Sequence, residues 1–305
     1  MKVIVIGSLQ NGKDISNYLE KSRNTELLRV YTLIDELGIK TSDFIYFDNE
    51  IFKDKLKKVD NINNYADEIC NLKPDIIFVV GWSQIIDKKI IDAARIGVIG
   101  FHPSKLPMDR GGSVLAWQIS EGYKAGCVSM FWIDEGMDSG DIIGQKNFEI
   151  ENTDTIRNVL NKVYKLCVEL TKTYYPLIVK GNLIRIKQDN NLATYRRRRN
   201  REDGIIDWND NSRNIYNLIR AITIPYPGAT TSYKGKEITI LEADIYDECI
   251  YNKVENGTII SINYNDGMVV RCKDGTLIIK KLIINNEEVL AHNTQKYFQI
   301  GEKLM

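Results

Sequence analysis

Apolar residues in the first hundred positions come as short dense runs separated by amphipathic stretches. Val3 to Ile6 is a β-branched run stopped by Gly7, and from Asn11 to Lys21 the apolar positions Ile15 and Leu19 fall one helical turn apart. The alternation repeats. Leu28 to Leu33 reads as a second strand, Asp43 to Phe47 as a short third one, Tyr65 to Leu72 as a helix and Asp75 to Val80 as a strong buried strand. Gln84 to Ala94 then reads as a helix and Val98 to Phe101 as another strand. Strands apolar on both faces, each followed by a helix, predict an α/β fold with a doubly wound, Rossmann-like parallel sheet. Ligands of such sheets sit beyond the carboxyl ends of the strands.

After residue 124 the pattern changes. Ala125 to Trp132 and Asp141 to Phe148 read as neighbouring strands around a turn, and Thr153 to Lys180 reads as one long helix. Polar, Arg-rich sequence fills Lys187 to Asp203. One more helix, Ser212 to Ile222, precedes short strands at Ile238–Leu241, Thr258–Ile262, Met268–Cys272 and Thr276–Leu282, with Gly235, Gly257, Gly267 and Gly275 beside them. Short strands with glycine turns predict a small β-rich, OB-like barrel or half-barrel. The domain boundary is expected near residue 204, giving domains 1–204 and 205–305. Gly7 to Gly12 lacks the G-x-G-x-x-G spacing and reads as an ordinary βα turn rather than a phosphate loop.

Composition narrows the classes. The 305 residues suit one large and one smaller domain at roughly 100–200 residues each, and 43% hydrophobic residues suffice for a sizeable core. With 41 basic and 41 acidic side chains there is no global positive field for a nucleic acid, which would need a local patch. The five cysteines (Cys70, Cys127, Cys167, Cys249, Cys272) are scattered and form no C-x-x-C pair. That spacing argues against a disulfide framework or a zinc cluster and for a reducing compartment. The opening apolar run is too short for a secretory signal and no stretch is long enough to span a bilayer, so a cytoplasmic location without membrane partners is expected.

The candidate chemistry is concentrated in two loops. His102, one of only two histidines, follows the strand Val98–Phe101 and opens a rigid loop, His102-Pro-Ser-Lys-Leu-Pro107, before Arg110-Gly111-Gly112 at a helix start. Asp134 to Asp141 is an acidic, glycine-punctuated loop between two strands. A carboxylate on one loop can fix the tautomer of an imidazole on the other and raise its basicity.

The pair His102-Pro-Ser-Lys-Leu-Pro107 with Arg110-Gly111, and Asp134-Glu-Gly-Met-Asp138-Ser-Gly-Asp-Ile-Ile143, resembles the folate-dependent formyltransferase family. That family includes methionyl-tRNA formyltransferase, glycinamide ribonucleotide transformylase and the sugar-nucleotide N-formyltransferases. Arg197 to Trp208 and Ala221 to Ala229 resemble second-domain motifs of its two-domain members, which disfavours the single-domain glycinamide ribonucleotide enzyme. The resemblance implies formyl transfer from 10-formyltetrahydrofolate to a primary amine, without a metal. His102 and Asp138 match two members of the family's Asn–His–Asp trio, His102 as base or proton shuttle and Asp138 as its orienting partner. The Asn position is Gly100, which supplies no amide. Another donor must replace it, or activity is compromised.

The resemblance further implies a folate pocket formed by Gly81, Trp82, Ser83, Gln84, Ile85 and Ile86 with Ile133, Asp134 and Asp138, largely through main-chain groups. Trp82 is open to two readings, packing at a strand end or ligand contact, whereas Phe131 and Trp132 read as core. Ser104 and Cys127 read as structural rather than nucleophilic. The substrate side is expected at Gly100, Ser104, Arg110, Gly111, Arg197 and Tyr226, with an arginine clamping a diphosphate and Tyr226 or Trp208 stacking on a base. A nucleotide-linked amino sugar is the favoured amine. Methionyl-tRNA is the first alternative, because Tyr195 to Arg201 is a basic cluster. It is disfavoured because Asp35 to Asp43 lacks the basic insertion typical of that enzyme. A folate or nucleotide-sugar binder without turnover is the second alternative. The resemblance and the β-rich second domain allow a homodimer.

Overall fold

The computed structural model describes residues 1–47, 49–247, 254–263 and 265–305. Cys249 lies outside the described residues. The chain divides into two compact units. Met1–Val114, Ala125–Phe148 and Leu160–Arg196 form the first; Leu115–Lys124, Glu149–Val159 and Arg197–Met305 form the second.

The elements run in chain order β1 (Lys2–Gly7), α1 (Gln10–Glu20), β2 (Glu26–Leu33), α2 (Asp35–Gly38), α3 (Asn49–Phe52), β3 (Leu56–Val59), α4 (Ala66–Leu72), β4 (Ile76–Val80), α5 (Lys88–Ala93) and β5 (Gly97–His102). They continue through β6 (Arg110–Gly111), α6 (Val114–Ser120), β7 (Ala125–Trp132), β8 (Ile142–Glu149), α7 (Ile156–Val179) and β9 (Tyr195–Arg196). The main sheet has the order β3-β2-β1-β4-β5-β7-β8. It is parallel from β3 to β5, and β7 joins β5 antiparallel with His102 opposite Ser129. The strands bury their β-branched runs completely: Val3 to Ile6 and Ile76 to Phe78 are inaccessible to solvent. Burial on both faces is what a helix-covered parallel sheet requires. The chain winds outward in opposite directions from β1 and β4, so their carboxyl ends, with β5 alongside, form the edge where such sheets keep their ligands.

Three expectations change. Asp43 to Phe47 is an irregular segment, not a strand. Its aromatics pack locally, Phe44 over Gly38 and Phe47 against Phe52 with ring centroids 6.0 Å apart. The third strand is instead Leu56–Val59, whose two lysines reach Glu68 and Asp35 across the sheet's edge. The helix expected from Gln84 starts only at Lys88, with Asp87 extended at its N-cap, while the Gln84 side chain accepts from Ile62 N–H and donates to the Asp60 carbonyl. The βα turn after β1 is a packing feature, as read. A Cβ on Gly7 would stand 2.5 Å, and one on Gly12 3.2 Å, from the Val80 carbonyl oxygen, so α1 lies directly against β4.

The second unit contains α8 (Ser212–Ile222), β10 (Ala229–Tyr233), β11 (Lys236–Asp247), β12 (Ile259–Asn263), β13 (Gly267–Arg271), β14 (Thr276–Ile284) and β15 (Glu287–Leu290). Its sheet is antiparallel, β10-β11-β14-β13-β12, with β15 also on β14. Strands β10 and β15 were not legible as strands, and β11 is longer than expected. The hairpin joining β14 to β15 turns through Asn285 and Asn286, both left-handed, a backbone that asparagine tolerates. Among the described residues no helix is long and apolar enough to cross a membrane.

Candidate active site

His102 is the last residue of β5 and is buried at the sheet's carboxyl edge. Its Nε2 lies 2.7 Å from the carbonyl oxygen of Asp109. A carbonyl only accepts, so Nε2 carries the hydrogen and Nδ1 is the nitrogen left to gain or lose a proton. Nδ1 faces Asp138 Oδ2 at 3.4 Å. The two groups sequence reasoning singled out therefore meet.

Asp138 is aimed by its backbone and by one strong contact. Its φ is +50°, and its Oδ2 accepts the Gly111 N–H at 2.8 Å. Gly111 itself needs to be glycine: its φ is +103°, and a Cβ would strike the Arg196 carbonyl oxygen at 2.3 Å. At the other end of the acidic loop a Cβ on Gly140 would stand 1.8 Å from the Trp132 carbonyl oxygen, so only glycine lets the loop close on β7. Asp134 caps the turn internally, accepting from Gly136 N–H at 3.0 Å and Ser139 Oγ at 2.8 Å.

Residues not singled out from sequence hold both loops. Ser129 Oγ accepts the Leu106 N–H and donates to the Ser104 carbonyl, while Gln145 Nε2 donates to the Leu106 carbonyl. Asp109 takes Arg196 Nε on its carboxylate at 2.8 Å and gives its N–H to Thr194 Oγ1. The short strand β9 pairs with β6, so the Tyr195–Arg196 segment straps the His102 loop in place. Gln188 reaches the acidic loop from the same strap: its Nε2 donates to the carbonyls of Asp138 at 2.8 Å and Gly140 at 2.7 Å. No sequence pattern marks a single glutamine in a polar stretch.

Several expected ligand groups have partners of their own. Arg110 is 2% exposed. Its guanidinium donates to Gln188 Oε1, Asn190 Oδ1 and Tyr195 Oη. Ser104 is buried with its hydroxyl on the Met108 carbonyl, so it supports the loop from within. Arg197 pairs with Asp203 and stacks on Trp117 at 5.1 Å. Trp208 is core in the second unit, its Nε1 on Thr231 Oγ1, and offers no stacking face to a base. Tyr226 is half-buried in the same unit. Burial pushes the Cys127 thiol up to about 11, which keeps it protonated and poorly nucleophilic at neutral pH.

The space beside Gly100 is already filled. A Cβ there would lie 2.9 Å from both Cγ1 and Cδ1 of Ile133 and 3.1 Å from Cε1 of Phe131. Ile133 thus occupies the place of a larger side chain and packs against Leu106, Phe131 and Ile142.

The segment following β4 has the character of a main-chain ligand edge. Gly81, at φ +58°, is tied back through its carbonyl to Ser8. The backbone groups of Trp82, Ser83 and Gln84 have no hydrogen-bond partner among the described residues, and Ile85 is 86% exposed. Trp82 and Ile86 pack on the core, with the buried Trp82 Nε1 left unpartnered. Polar main-chain groups left unspent beside an exposed apolar side chain fit a flat heterocycle that carries its own donors and acceptors. Among the described residues no cluster of His, Cys, Asp or Glu could hold a metal ion.

With this geometry in view, the comparisons with known proteins are specific about class. The family described as "Formyl transferase" matches residues 1–173, and "Formyl transferase, C-terminal domain" matches residues 199–295. The chain belongs to the formyltransferase family, and folate-dependent formyl transfer is the chemistry of its catalytic domain. It is 33% identical over 277 residues to the methionyl-tRNA formyltransferase of Fusobacterium nucleatum subsp. nucleatum, covering 90% of this chain and 86% of that protein. It is 31% identical to the bifunctional polymyxin resistance protein ArnA of Wigglesworthia glossinidia brevipalpis, covering 92% of this chain and 42% of that protein. Among solved structures it resembles, with a TM-score of 0.67 and 19% identity, an N-formyltransferase from Helicobacter canadensis in complex with folinic acid and dTDP-3-aminofucose. That match covers 92% of this chain and 98% of the other.

Proposed function

We propose that the chain moves the formyl group of 10-formyltetrahydrofolate to the amine of a nucleotide-linked amino sugar, using a catalytic domain over residues 1–204 followed by a second domain over 205–305. The observation that carries the catalytic part is the His102–Asp138 contact, with the Nε2 hydrogen of His102 locked on the Asp109 carbonyl. When bound, the folate supplies the formyl group. Trp82, Ser83 and Gln84 would hold its pterin through their free main-chain groups, with Gly81, Ile85, Ile86, Ile133 and Asp134 shaping the edge. His102 Nδ1 takes the proton that the amine nitrogen sheds as it bonds the formyl carbon, and that proton would pass to the folate nitrogen as its bond to the formyl carbon breaks, releasing tetrahydrofolate. Asp138 stays in register through the Gly111 N–H and stabilises the resulting imidazolium across the 3.4 Å gap. Because position 100 has no amide, and both imidazolium N–H groups are on Asp109 and Asp138, the positive charge of the imidazolium and nearby main-chain N–H groups take over the stabilisation of the carbonyl oxygen. The catalytic step needs neither Arg197, which is paired with Asp203, nor Tyr226.

The choice of a small amine over a tRNA rests on how four of the five arginines in the basic run are spent; Arg198 is exposed. Arg196 is on Asp109, Arg197 on Asp203 and Arg201 on Glu237, while Arg199 stacks on Trp117 and reaches the Asp203 carbonyl. Arginines already on carboxylates have little left for a phosphate backbone. The second reading, formylation of methionyl-tRNA, is favoured by the 33% identical Fusobacterium relative. A turnover assay decides between them: 10-formyltetrahydrofolate is offered with dTDP-, UDP- and GDP-linked amino sugars and with charged initiator tRNA. Formylation of a sugar nucleotide is the expected result. Formylation of the tRNA alone sinks the sugar assignment, and folate binding without transfer to any amine makes the chain a binder.

A further inference from the structure

We infer that Gln188, seated on the buried guanidinium of Arg110, is the positioning residue that sets where Asp138 stands relative to His102. This rests on the reading of His102 and Asp138 as the catalytic pair. Gln188 uses every polar atom of its side chain. Its amide oxygen accepts from Arg110 Nε at 3.2 Å and Nη2 at 2.7 Å. Its Nε2 donates to the carbonyls of Asp138 and Gly140 at 2.8 and 2.7 Å. The residue therefore grips the acidic loop on both sides of Ser139, one bond being to the backbone of Asp138 itself.

The guanidinium behind it is unusual. Arg110 is nearly inaccessible, and its side-chain partners are the neutral groups of Gln188, Asn190 and Tyr195, with the ring of Tyr195 5.8 Å away. A buried charge must be fully hydrogen-bonded to be tolerated, and a carboxylate is the cheapest partner for an arginine. A glutamate at position 188 would satisfy Arg110 better, yet it would leave the Asp138 and Gly140 carbonyls facing a second acceptor. Glutamine is the residue that serves both neighbours, accepting from the cation and donating to the loop. The main chain of Arg110 completes the circuit. The next residue, Gly111, donates its N–H to the Asp138 carboxylate, so Asp138 is held by its backbone from Gln188 and by its side chain from Gly111.

The pair Gln188→Glu and Asn190→Ala separates positioning from bulk stability. Q188E keeps, and strengthens, the partner of Arg110 while removing both donors to the loop. N190A removes a partner of Arg110 that does not touch the loop. The expected result is a thermal midpoint for Q188E at or near wild type and a kcat lowered on the order of a hundredfold, the loss typical of a misplaced catalytic group. KM should stay nearly constant. N190A should retain its kcat. Two readouts need no substrate: amide exchange of Asp134 to Asp141 should quicken in Q188E, and the NMR signal of His102, one of two histidines, should move. Q188M carries the same test if Q188E does not fold. A kcat for Q188E equal to wild type with an unmoved His102 signal overturns the inference, as does an equal loss in N190A. His102→Ala runs alongside: if it keeps full turnover, the catalytic reading fails; if it loses turnover while Q188E does not, only the role of Gln188 fails.

Discussion

Replacing Gly100 with Asn, the residue the formyltransferase motif would place there, should damage this chain rather than improve it. The new Cβ alone meets Ile133 Cγ1 and Cδ1 at 2.9 Å and Phe131 at 3.1 Å, and Ile133 is wedged against Leu106, Phe131 and Ile142. Overpacking of this kind costs about 1–3 kcal/mol. The buried amide, denied partners by the same crowding, adds about 1–3 kcal/mol. For a domain of this size the sum, about 2–6 kcal/mol, corresponds to a fall of roughly 4–24 °C in thermal midpoint. Ile133→Ala opens the space, and since Ile133 is only partly buried its own cost should be about 1–2 kcal/mol, below the range for fully buried positions. The assay is a double-mutant cycle in chemical denaturant. G100N/I133A should be more stable than the sum of the single losses by about 0.5–3 kcal/mol, the range for residues in contact. Turnover of the double variant should be no lower than that of I133A. Loss of less than about 0.5 kcal/mol in G100N, or additivity within that margin, would refute the idea that Ile133 has taken the place of the missing side chain.

Other outcomes are equally open to measurement. Nitrogen NMR of labelled histidine should show neutral His102 protonated on Nε2, because the Asp109 carbonyl at 2.7 Å cannot donate; an Nδ1–H tautomer contradicts the site geometry. Burial pushes the thiol of Cys127 up to about 11 and those of Cys167 and Cys272 up to about 12, so among the four described cysteines a maleimide at pH 7 should label the half-exposed Cys70 first. Peptide mapping that finds Cys127 or Cys167 labelled as fast in the folded protein would count against this packing. Hydrogen bonding from Arg197 holds the Asp203 carboxyl at about 2, below its ordinary 3.8. A depressed carboxyl stabilises the fold above its unfolded value and loses that contribution as pH falls through the folded one. Asp203→Asn should therefore melt below wild type at pH 6, with the gap closing between about pH 4 and pH 2; a gap that persists at pH 2 would show that the ion pair is not its source.

Much of the fold was legible because burial on both faces leaves a plain trace: Val3 to Ile6 and Asp75 to Val80 admit few readings other than central strands. The third strand was not. Leu56–Val59 carries two lysines and looks solvated, yet as an edge strand it needs only Val59 buried, with Lys57 and Lys58 satisfied by Glu68 and Asp35. Asp43 to Phe47 is richer in aromatics, but local packing on Gly38 and Phe52 uses them up. At the site, His102 and Asp138 were legible because both sit in dense motifs at loop positions that the sheet brings together. Gln188 was not, since its importance comes from a backbone bridge, Ile142 with Ile186, that carries a polar stretch alongside the acidic loop. Sequence spacing holds no record of that approach. Likewise, the arginine run looked like an anion site because its carboxylate partners Asp109 and Glu237 lie far away in sequence.

The most direct measurement is the initial rate of formyl transfer from 10-formyltetrahydrofolate to an amino-sugar nucleotide by the wild-type chain and by His102→Ala at equal concentration. A proton-transfer role for His102 Nδ1 calls for a loss of about 10²–10⁴-fold in the variant with folate binding retained. Product formed by His102→Ala at the wild-type rate would contradict the account.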